Sequence, residues 1–373
     1  MRNTVYTLLL FFSTSLANGY DFAAEYKADV LAVVSGGLSS GADYIDNLDL
    51  KLEVDIAEVW GAGSGSIFIH GLYNNGVTFS EDRVGDFQVV SNIDAPKAWR
   101  LFEFWFEAGE SNWSIRTGLY DLNSEFDANE IGAVFLNSSH GIGPDFGQTG
   151  LNGPSIFPIS SLSLRVAKKF ESMSVRVAVL DAVPGDPTDS SSNEIDLSRE
   201  DGALTLAEID VSYADSARLW AGYWRYSAEH EYINGSGSRR GNDGWYVGSE
   251  AEFRLGSRAA GWFARFGQAD HRFNVLSSYL GLGAVIVGPI AARPTDRFGV
   301  AVASARAGDS YRDYLRRIGE GAGRRETTWE LTYQVIVNEH LLIQPDIQYI
   351  RNPSVSTILD DAWVVGCRFQ LNY

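Results

Sequence analysis

The sequence predicts an all-β protein, a transmembrane antiparallel β-barrel of about 16 strands with long extracellular loops and short periplasmic turns. Three observations predict this fold. The chain begins like a secretory signal, many later segments alternate apolar and polar residues with a period of two, and the gaps between these segments alternate between long and short. A closed barrel can cross a membrane because it gives every backbone amide a partner and leaves no sheet edge in the hydrocarbon.

The composition favours strands and turns over helices. Aromatic residues make up 13% of the chain, and there are 38 Gly but only 2 Met. Aromatic side chains favour strands, and Gly supplies turns. The formal charge of -18 argues against nucleic acid as a partner, because phosphate binding needs Lys and Arg concentrated on one surface. Cys367 has no second Cys to pair with, so an extended hydrogen-bonded sheet must hold the fold.

Residues 1–17 form a predicted signal peptide. Arg2 precedes an apolar run over residues 5–16, and we expect cleavage after the small residue Ala17, with Gly19 as the second choice. The mature protein is then one barrel domain, residues 18–373. It contains no run of about eighteen apolar residues that could form a transmembrane helix, so a membrane role would require a barrel.

Alternating segments recur along the whole chain. At the C-terminal end Trp363, Val365 and Phe369 share an apolar face, while Arg368 and Gln370 share a polar one. Several segments reach the roughly nine to eleven residues that a membrane-spanning strand needs, against about five or six in soluble proteins. The sixteen predicted strands span residues 28–35, 48–57, 66–73, 100–107, 113–120, 161–167, 172–180, 204–213, 217–226, 245–255, 261–268, 279–286, 298–305, 327–336, 341–350 and 362–373.

The connections between these strands alternate in length. Every second connection is short, except that the twelfth, 287–297, is longer than a tight turn; the longest connection is 121–160. Long loops are external and short turns periplasmic in outer-membrane barrels, so we expect both chain ends in the periplasm of a Gram-negative cell. The apolar faces should meet lipid and the polar faces a water-filled lumen. The aromatic residues expected at the two membrane interfaces are Trp245, Tyr349, Trp363 and Tyr373.

Long residue runs in both halves of the chain carry a family signature. In the C-terminal half they are Trp329-Glu-Leu-Thr-Tyr-Gln334 and Ile343-Gln-Pro-Asp-Ile-Gln-Tyr-Ile-Arg-Asn-Pro353. In the N-terminal half they include Ser91-Asn-Ile-Asp-Ala-Pro96 and Phe135-Leu-Asn-Ser-Ser-His-Gly141. With these runs the chain resembles the carbohydrate-selective porins of the OprB family over most of its mature length. It departs at the last residue, where Tyr373 stands in place of the usual Phe.

The resemblance implies an outer-membrane porin that admits small sugars by passive, selective diffusion through a barrel narrowed by inward-folded loops. It leaves the sugar open and favours a monomer. The partners it implies are sugars in transit, outer-membrane lipid and lipopolysaccharide, and the barrel-assembly machinery. No cofactor is expected. A general or ion-selective diffusion pore is the alternative, and the charge of the lumen would separate the two.

The candidate sugar site lies where loop 121–160 meets the strands around residue 100. A sugar is neutral and covered in hydroxyls, so its site needs paired donors and acceptors with aromatic faces. We expect Glu103, Trp105 and Glu107 to point into the lumen, and Phe102, Phe104 and Phe106 to point outward. Ordinary lumen lining or structural ion pairs are the alternative roles. The predicted substrate-binding residues are Arg100, Glu103, Trp105, Arg116, Glu125 and Asp127.

Other functional classes have little support in the sequence. The five His form no H-E-x-x-H pattern and no G-x-S-x-G run occurs, so we expect no catalytic residues. The acidic stretch 181–201 lacks the spacing of an EF-hand, so we expect no metal site. An esterase built on a barrel would hydrolyse esters, and an exported soluble glycan-binding protein would need no detergent for extraction.

Overall fold

The fold is one antiparallel sheet that closes into a barrel. A computed structural model describes residues 14–16, 19–61, 63–189, 192, 194–214 and 216–373. The sixteen barrel strands, β1–β16, each pair with the next along the chain, and β16 returns to pair with β1, where Phe369 lies opposite Ala28. The strands are β1 Tyr20–Ser35, β2 Gly41–Asp55, β3 Gly65–Asn74, β4 Ala98–Glu110, β5 Trp113–Tyr120, β6 Ser161–Lys169, β7 Met173–Asp181, β8 Ala203–Ala214, β9 Ala217–Glu231, β10 Ser238–Leu255, β11 Arg258–Ala269, β12 Leu276–Val287, β13 Arg297–Ala307, β14 Arg325–Ile336, β15 Leu341–Arg351 and β16 Ala362–Asn372.

The helical segments are short and lie in the connections. Among the described residues, no helix combines the length and apolar character that crossing a membrane requires. The α-helices are α1 Ile56–Trp60, α2 Pro144–Gly147 and α3 Asp309–Arg317, with a π-helical turn at Ser80–Val84 and 3-10 turns at Leu122–Ser124, Gly132–Val134, Ser138–His140 and Pro353–Val355.

Most of the predicted signal peptide, residues 1–17, lies outside the described residues. Thr14–Leu16 forms a three-residue strand that pairs with the start of β1. Cleavage after Ala17, and with it the division at residue 18, stays a prediction that N-terminal sequencing of the mature protein would test.

The two faces of the strands differ as the alternation predicted. On β16, Trp363 is 45% exposed on the outside of the barrel. Arg368 is buried on the inside, where its Nε donates to Asp29 Oδ1 at 2.7 Å. On β14, Trp329 is exposed and the neighbouring Glu330 is buried. The apolar surface therefore surrounds the barrel, and the polar side chains fill its interior.

All sixteen predicted strands exist, but several of their ends were wrong. β1 begins at Tyr20 rather than 28, and β2 begins at Gly41 rather than 48. The first connection is therefore short, at 36–40, although the sequence predicted a long one. β9 and β10 extend toward each other, which leaves 232–237 instead of 227–244. The extensions of β2, β9 and β10 carry polar residues on both faces, so period-two apolar alternation does not mark them. The first residues of β1 do alternate, with Tyr20, Phe22 and Tyr26 on one face and Asp21, Glu25 and Lys27 on the other, and the prediction missed them.

The connections still separate the two ends of the barrel. The longest, 75–97, 121–160, 182–202 and 308–324, lie at one end, which is the extracellular end. The connections at the other end are mostly very short. The twelfth, 288–296, is longer, as predicted, and is closed by Asp296, which accepts from Arg293 Nε at 2.8 Å and from Ile336 N at 3.1 Å.

Candidate functional site

A cavity of about 490 Å³ opens inside the barrel against the wall formed by β1–β5. Four of the six predicted site residues, Glu103, Trp105, Arg116 and Glu125, line it; Arg100 and Asp127 are not among its described lining residues. The lining residues are Asp21, Phe22, Ala23, Lys51, Glu53, Phe68, His70, Phe102, Glu103, Trp105, Arg116, Asp121, Ser124 and Glu125.

Arg116 of β5 lies at the centre of the basic side of the cavity. Its Nε donates to Glu107 Oε2 at 2.8 Å, and its Nη1 lies 3.6 Å from Glu125 Oε2. Its guanidinium carbon is 3.8 Å from the ring centre of Trp105. The position of the guanidinium is therefore fixed by two carboxylates and by a cation–π contact.

The ring of Trp105 packs between side chains of the two neighbouring strands. Phe68 of β3 stacks on the indole with ring centres 5.0 Å apart and planes 24° from parallel. Arg116 reaches the same ring from β5, on the opposite side of β4. Trp105 is only 8% exposed, so its ring is largely covered. The structure thus places Trp105 as the residue that positions Arg116 and leaves little of the indole face open to a sugar ring.

Glu103 of β4 provides the acidic side of the cavity. Its Oε1 accepts from Trp105 Nε1 at 3.2 Å and from the backbone N of Asp121 at 3.1 Å. Its Oε2 lies 3.4 Å from His70 Nδ1, and the other ring nitrogen of His70 lies 2.8 Å from Asp49 Oδ1. Glu103 therefore joins the strand wall to the first residue of loop 121–160.

A β-bulge at Phe102 explains how Arg100 and Glu103 of β4 can both face inward although an odd number of positions separates them. Glu103 pairs with His70 and Leu101 pairs with Gly71, so Phe102 is the extra residue. Phe102 is 4% exposed, and its ring packs 5.2 Å from that of His70. The prediction that Phe102 points outward was wrong, because strict alternation cannot anticipate a bulge. Phe104 and Phe106 do face outward, as predicted.

Asp127 takes part in a second cluster, away from the cavity lining. Its Oδ2 accepts from Arg265 Nη2 at 2.7 Å, and its backbone N donates to Glu208 Oε2 at 2.8 Å. Arg265 also forms an ion pair with Asp145 of the same loop. Arg100 is buried on the inner face of β4, beyond the bulge.

The middle of loop 121–160 contacts the inner face of strands β8–β15. The backbone N of Ile131 donates to Glu250 at 3.0 Å, and the backbone N atoms of Leu136 and Asn137 donate to the two oxygens of Glu330 at 2.6 and 3.0 Å. The ring of Phe146 stacks on Trp224 with centres 5.3 Å apart. Buried carboxylates thus satisfy loop amides that would otherwise be buried without partners.

Burial changes the charge state of several loop side chains. Burial and, to a smaller extent, the charge of Glu103 together raise the pKa of Asp121 to about 7. Burial also raises the pKa of Asp145 to about 6, against the opposing effect of Arg265. Burial lowers the pKa of His140 to about 3, so its 3.7 Å approach to Glu330 is not an ion pair at neutral pH.

Comparison with known families decides the identity of this barrel. The sequence model of the carbohydrate-selective porin, OprB family matches residues 39–373. The chain belongs to this family. The resemblance stated from the sequence is confirmed, and with it the outer membrane of a Gram-negative bacterium as the location. The OprB family is a family of channels, not of enzymes.

Relatives of this OprB-family porin span nearly its whole length. Porin B of Pseudomonas aeruginosa is 25% identical, over 95% of this chain and 88% of its own. A putative porin of Acinetobacter baylyi, QuiX, is 20% identical over 95% of this chain and 89% of its own. A structure of Pseudomonas putida OprB determined at high pH has a TM-score of 0.86 at 22% identity, covering 95% of this chain and 94% of that one. The last match supports the fold.

The sequence did not identify as functional the carboxylates on the lumen wall of this OprB-family porin that lies opposite the cavity. Glu208, Glu250 and Glu330 are each buried and each accept from the loop or from neighbouring strands. Their positions on polar strand faces were visible in the alternation. The pattern gives no indication of which loop amides they would meet, because that depends on the path of the loop.

Proposed function

We propose that this porin admits small carbohydrates by passive diffusion past Glu103 and Arg116, through a passage narrowed by the inward-folded loop 121–160. The observation that carries the proposal is the cavity of about 490 Å³, which combines opposed charges with aromatic surface. A sugar presents hydroxyls at its edge and an apolar face to each side. The proposed passage matches both features with side chains from adjacent strands.

Each group in the cavity has a role that suits a hydroxylated solute. Glu103 and Glu125 accept hydrogen bonds, whereas Arg116 and Lys51 donate them. Phe22 and Phe102 add apolar surface to the same lining. A typical hydrogen bond contributes about 0.5–1.5 kcal/mol net, so a few of them give dissociation constants in the millimolar range. Such weak binding lets a sugar enter and also leave.

The contacts of loop 121–160 support its role as the element that narrows the passage. Its middle part is bonded to Glu250 and Glu330 on the far wall, whereas Asp121 and Glu125 remain at the cavity. We infer that the loop fills the lumen on the side of β8–β15 and leaves a passage beside β1–β5. Of the six predicted residues, Glu103, Arg116 and Glu125 contact the solute directly in this proposal. Trp105 positions Arg116, Arg100 lies next to the passage, and Asp127 anchors the loop.

Planar-bilayer conductance titrated with glucose tests the proposal. We expect concentration-dependent block of the wild-type channel, with half-block in the millimolar range. Arg116→Ala and Glu103→Ala should raise the single-channel conductance and weaken the block. Lys168→Ala and Glu171→Ala, at the exposed periplasmic end of β6 and β7, serve as controls of matched charge. Unchanged conductance and block in both lumen variants would exclude this site.

An ion-selective diffusion pore is the second candidate, and one pair of residues favours it. Asp21 and Glu53 lie opposite each other across β1 and β2, and both line the cavity. Two like charges directly opposite each other destabilise a sheet. Two carboxylates that face a water-filled passage attract cations into it. A steady conductance that no sugar reduces, together with strong preference for cations, would establish this alternative.

We further infer that the barrel functions as a monomer and that the assembly machinery reads β16 together with Tyr373, which follows it. The closed pairing of β16 with β1 supports a pore that is complete within one chain. Light scattering of the detergent-solubilised protein tests the monomer, and impaired membrane insertion of Tyr373→Ala but not Tyr373→Phe tests the terminal aromatic residue.

A further inference from the structure

Three arginines lie side by side on the outer surface of the barrel at its extracellular end. Arg306 ends β13, Arg325 begins β14 and Arg351 ends β15. Arg306 is directly opposite Arg325, and Arg351 is opposite Thr327, two residues along from Arg325. Directly opposite residues have Cβ atoms about 5 Å apart, and diagonal neighbours are about 7–8 Å apart. One ligand could therefore reach all three guanidinium groups.

The arginines point toward the membrane rather than into the lumen. Arg325 shares the outward face of β14 with Trp329, and Arg351 shares the outward face of β15 with Tyr349. The rings of Trp329 and Tyr349 have centres 5.5 Å apart, and Trp363 lies 4.8 Å beyond Tyr349. Such a row of aromatic rings marks the boundary between hydrocarbon and head groups. The arginines lie on the extracellular side of this row, at the level of the head groups.

The charge of this cluster is poorly balanced within the protein. Arg306 lies 3.5 Å from Asp309, whose side chain is mostly exposed. Over the described ranges of the chain, neither Arg325 nor Arg351 forms an ion pair. The carboxylate on the neighbouring strand end, Asp361, accepts instead from Tyr349 Oη and from Asn352 N. Like charges directly opposite in a sheet are destabilising, so an anion from outside the chain would stabilise this arrangement.

We propose that Arg306, Arg325 and Arg351 bind the phosphate groups of a phosphorylated glycolipid in the outer leaflet of the membrane. The guanidinium group fits phosphate with two parallel hydrogen bonds, and three arginines on adjacent strands present several such pairs. The cluster is unusual in a chain of formal charge -18, which otherwise repels phosphate. This site is separate from the lumen and does not depend on which solute the pore admits.

Binding of lipid A to the purified barrel in mild detergent, measured by native mass spectrometry, tests the proposal. The test variant is Arg306→Gln, Arg325→Gln and Arg351→Gln combined. The control variant, Lys168→Gln, Lys169→Gln and Arg254→Gln combined, removes the same charge from exposed positions at the periplasmic end. Heat-modifiable migration on a gel and unchanged conductance establish that both variants are folded.

We expect the wild type and the control to bind lipid A, and the test variant to bind it on the order of a hundredfold more weakly. Lipid A stripped of its phosphates should bind the wild type as weakly as intact lipid A binds the test variant. Equal binding by the test variant, or equal binding of the dephosphorylated lipid, overturns the proposal. Full competition by millimolar inorganic phosphate also overturns it, because the site would then take free phosphate.

Discussion

The two walls of the lumen use the same kinds of side chain in different ways. On the wall of β1–β5, carboxylates and Arg116 face a cavity that a solute can enter. On the opposite wall, Glu250, Glu330 and Arg265 are all buried and bonded to loop 121–160. Charged residues on polar strand faces thus have two settings in one barrel: on one wall they bond to the loop, and on the other they face the cavity that we propose as the passage.

This difference shows why the charge that acts on ions and solutes in a barrel cannot be obtained by counting the charged residues on its polar strand faces. Glu330, which accepts from two loop amides and is not among the described lining residues of the cavity, has lost its water and contributes little to the passage. A carboxylate on the cavity wall, such as Glu53, keeps its exposure and acts on ions and solutes. Which wall a residue faces matters more for permeation than its charge alone.

The largest expected effect comes from removing the cation that holds the loop. Arg265→Ala leaves Asp127 and Asp145 buried without their partner, which should cost about 3–5 kcal/mol in the free energy of unfolding. We expect a lower melting temperature in detergent and a larger, noisier conductance as the loop leaves the wall. Arg254→Ala, an exposed arginine of β10, is the control. A stable variant with normal conductance would show that the loop is held by other contacts.

A smaller effect is expected from Glu330→Gln. The amide side chain keeps one acceptor oxygen, so one of the two hydrogen bonds from Leu136 N and Asn137 N is lost. Leaving a buried amide without its acceptor costs about 1–3 kcal/mol. Hydrogen exchange at the amide that loses its acceptor, of Leu136 or of Asn137, should accelerate by about tenfold, with exchange in β1–β5 unchanged. Equal exchange rates in both proteins would contradict the anchoring role of Glu330.

On the cavity wall, charge removal should alter permeation and leave stability nearly unchanged. The double variant Asp21→Asn and Glu53→Gln removes two like charges that face each other in the cavity. We expect a lower preference for cations over anions, measured as the reversal potential in a KCl gradient, by about twofold in permeability ratio at low salt and less at high salt. A large loss of stability with unchanged selectivity would reverse the roles assigned to the two walls.

The smallest expected effect is a pH dependence confined to the cavity wall. Because the pKa of Asp121 is raised to about 7, its carboxylate is charged above neutrality and loses its charge as the pH falls below 7. The preference for cations should therefore decrease between pH 8 and pH 6, and Asp121→Asn should weaken this change. His140, whose pKa is lowered to about 3, should not contribute in that range. An unaltered pH dependence in Asp121→Asn would assign it to another group.

The sequence predicted the membrane-spanning part of the fold better than the rest. Apolar alternation exists because lipid surrounds the barrel, so it identifies the strands where they cross the hydrocarbon. The first residues of β2, with Asn47 on the inner face and Asp46 on the outer face, extend past that region and were missed. Strand length beyond the membrane is set by pairing with β1, which periodicity does not encode.

The candidate site was predicted in part for a similar reason. Glu103, Trp105 and Arg116 lie on adjacent strands, so their proximity follows from the order of the strands and the alternation of side chains. Asp127 and Arg265 are 138 positions apart along the sequence, and they meet because the loop crosses the lumen. Nothing in the local pattern of either residue indicates that contact.

The bulge at Phe102 reverses the alternation of side chains along β4. Residues before the bulge alternate between lipid and lumen in one phase, and residues after it alternate in the opposite phase. Deleting Phe102 would remove the bulge and restore regular alternation, with Arg100 still facing the lumen and Leu101 still facing lipid. Deleting Phe104 instead would turn over the residues on one side of the deletion and expose polar side chains to lipid. Changes of length elsewhere in this strand should therefore be tolerated only in pairs of residues, whereas Phe102 is the position at which a single insertion has already been absorbed.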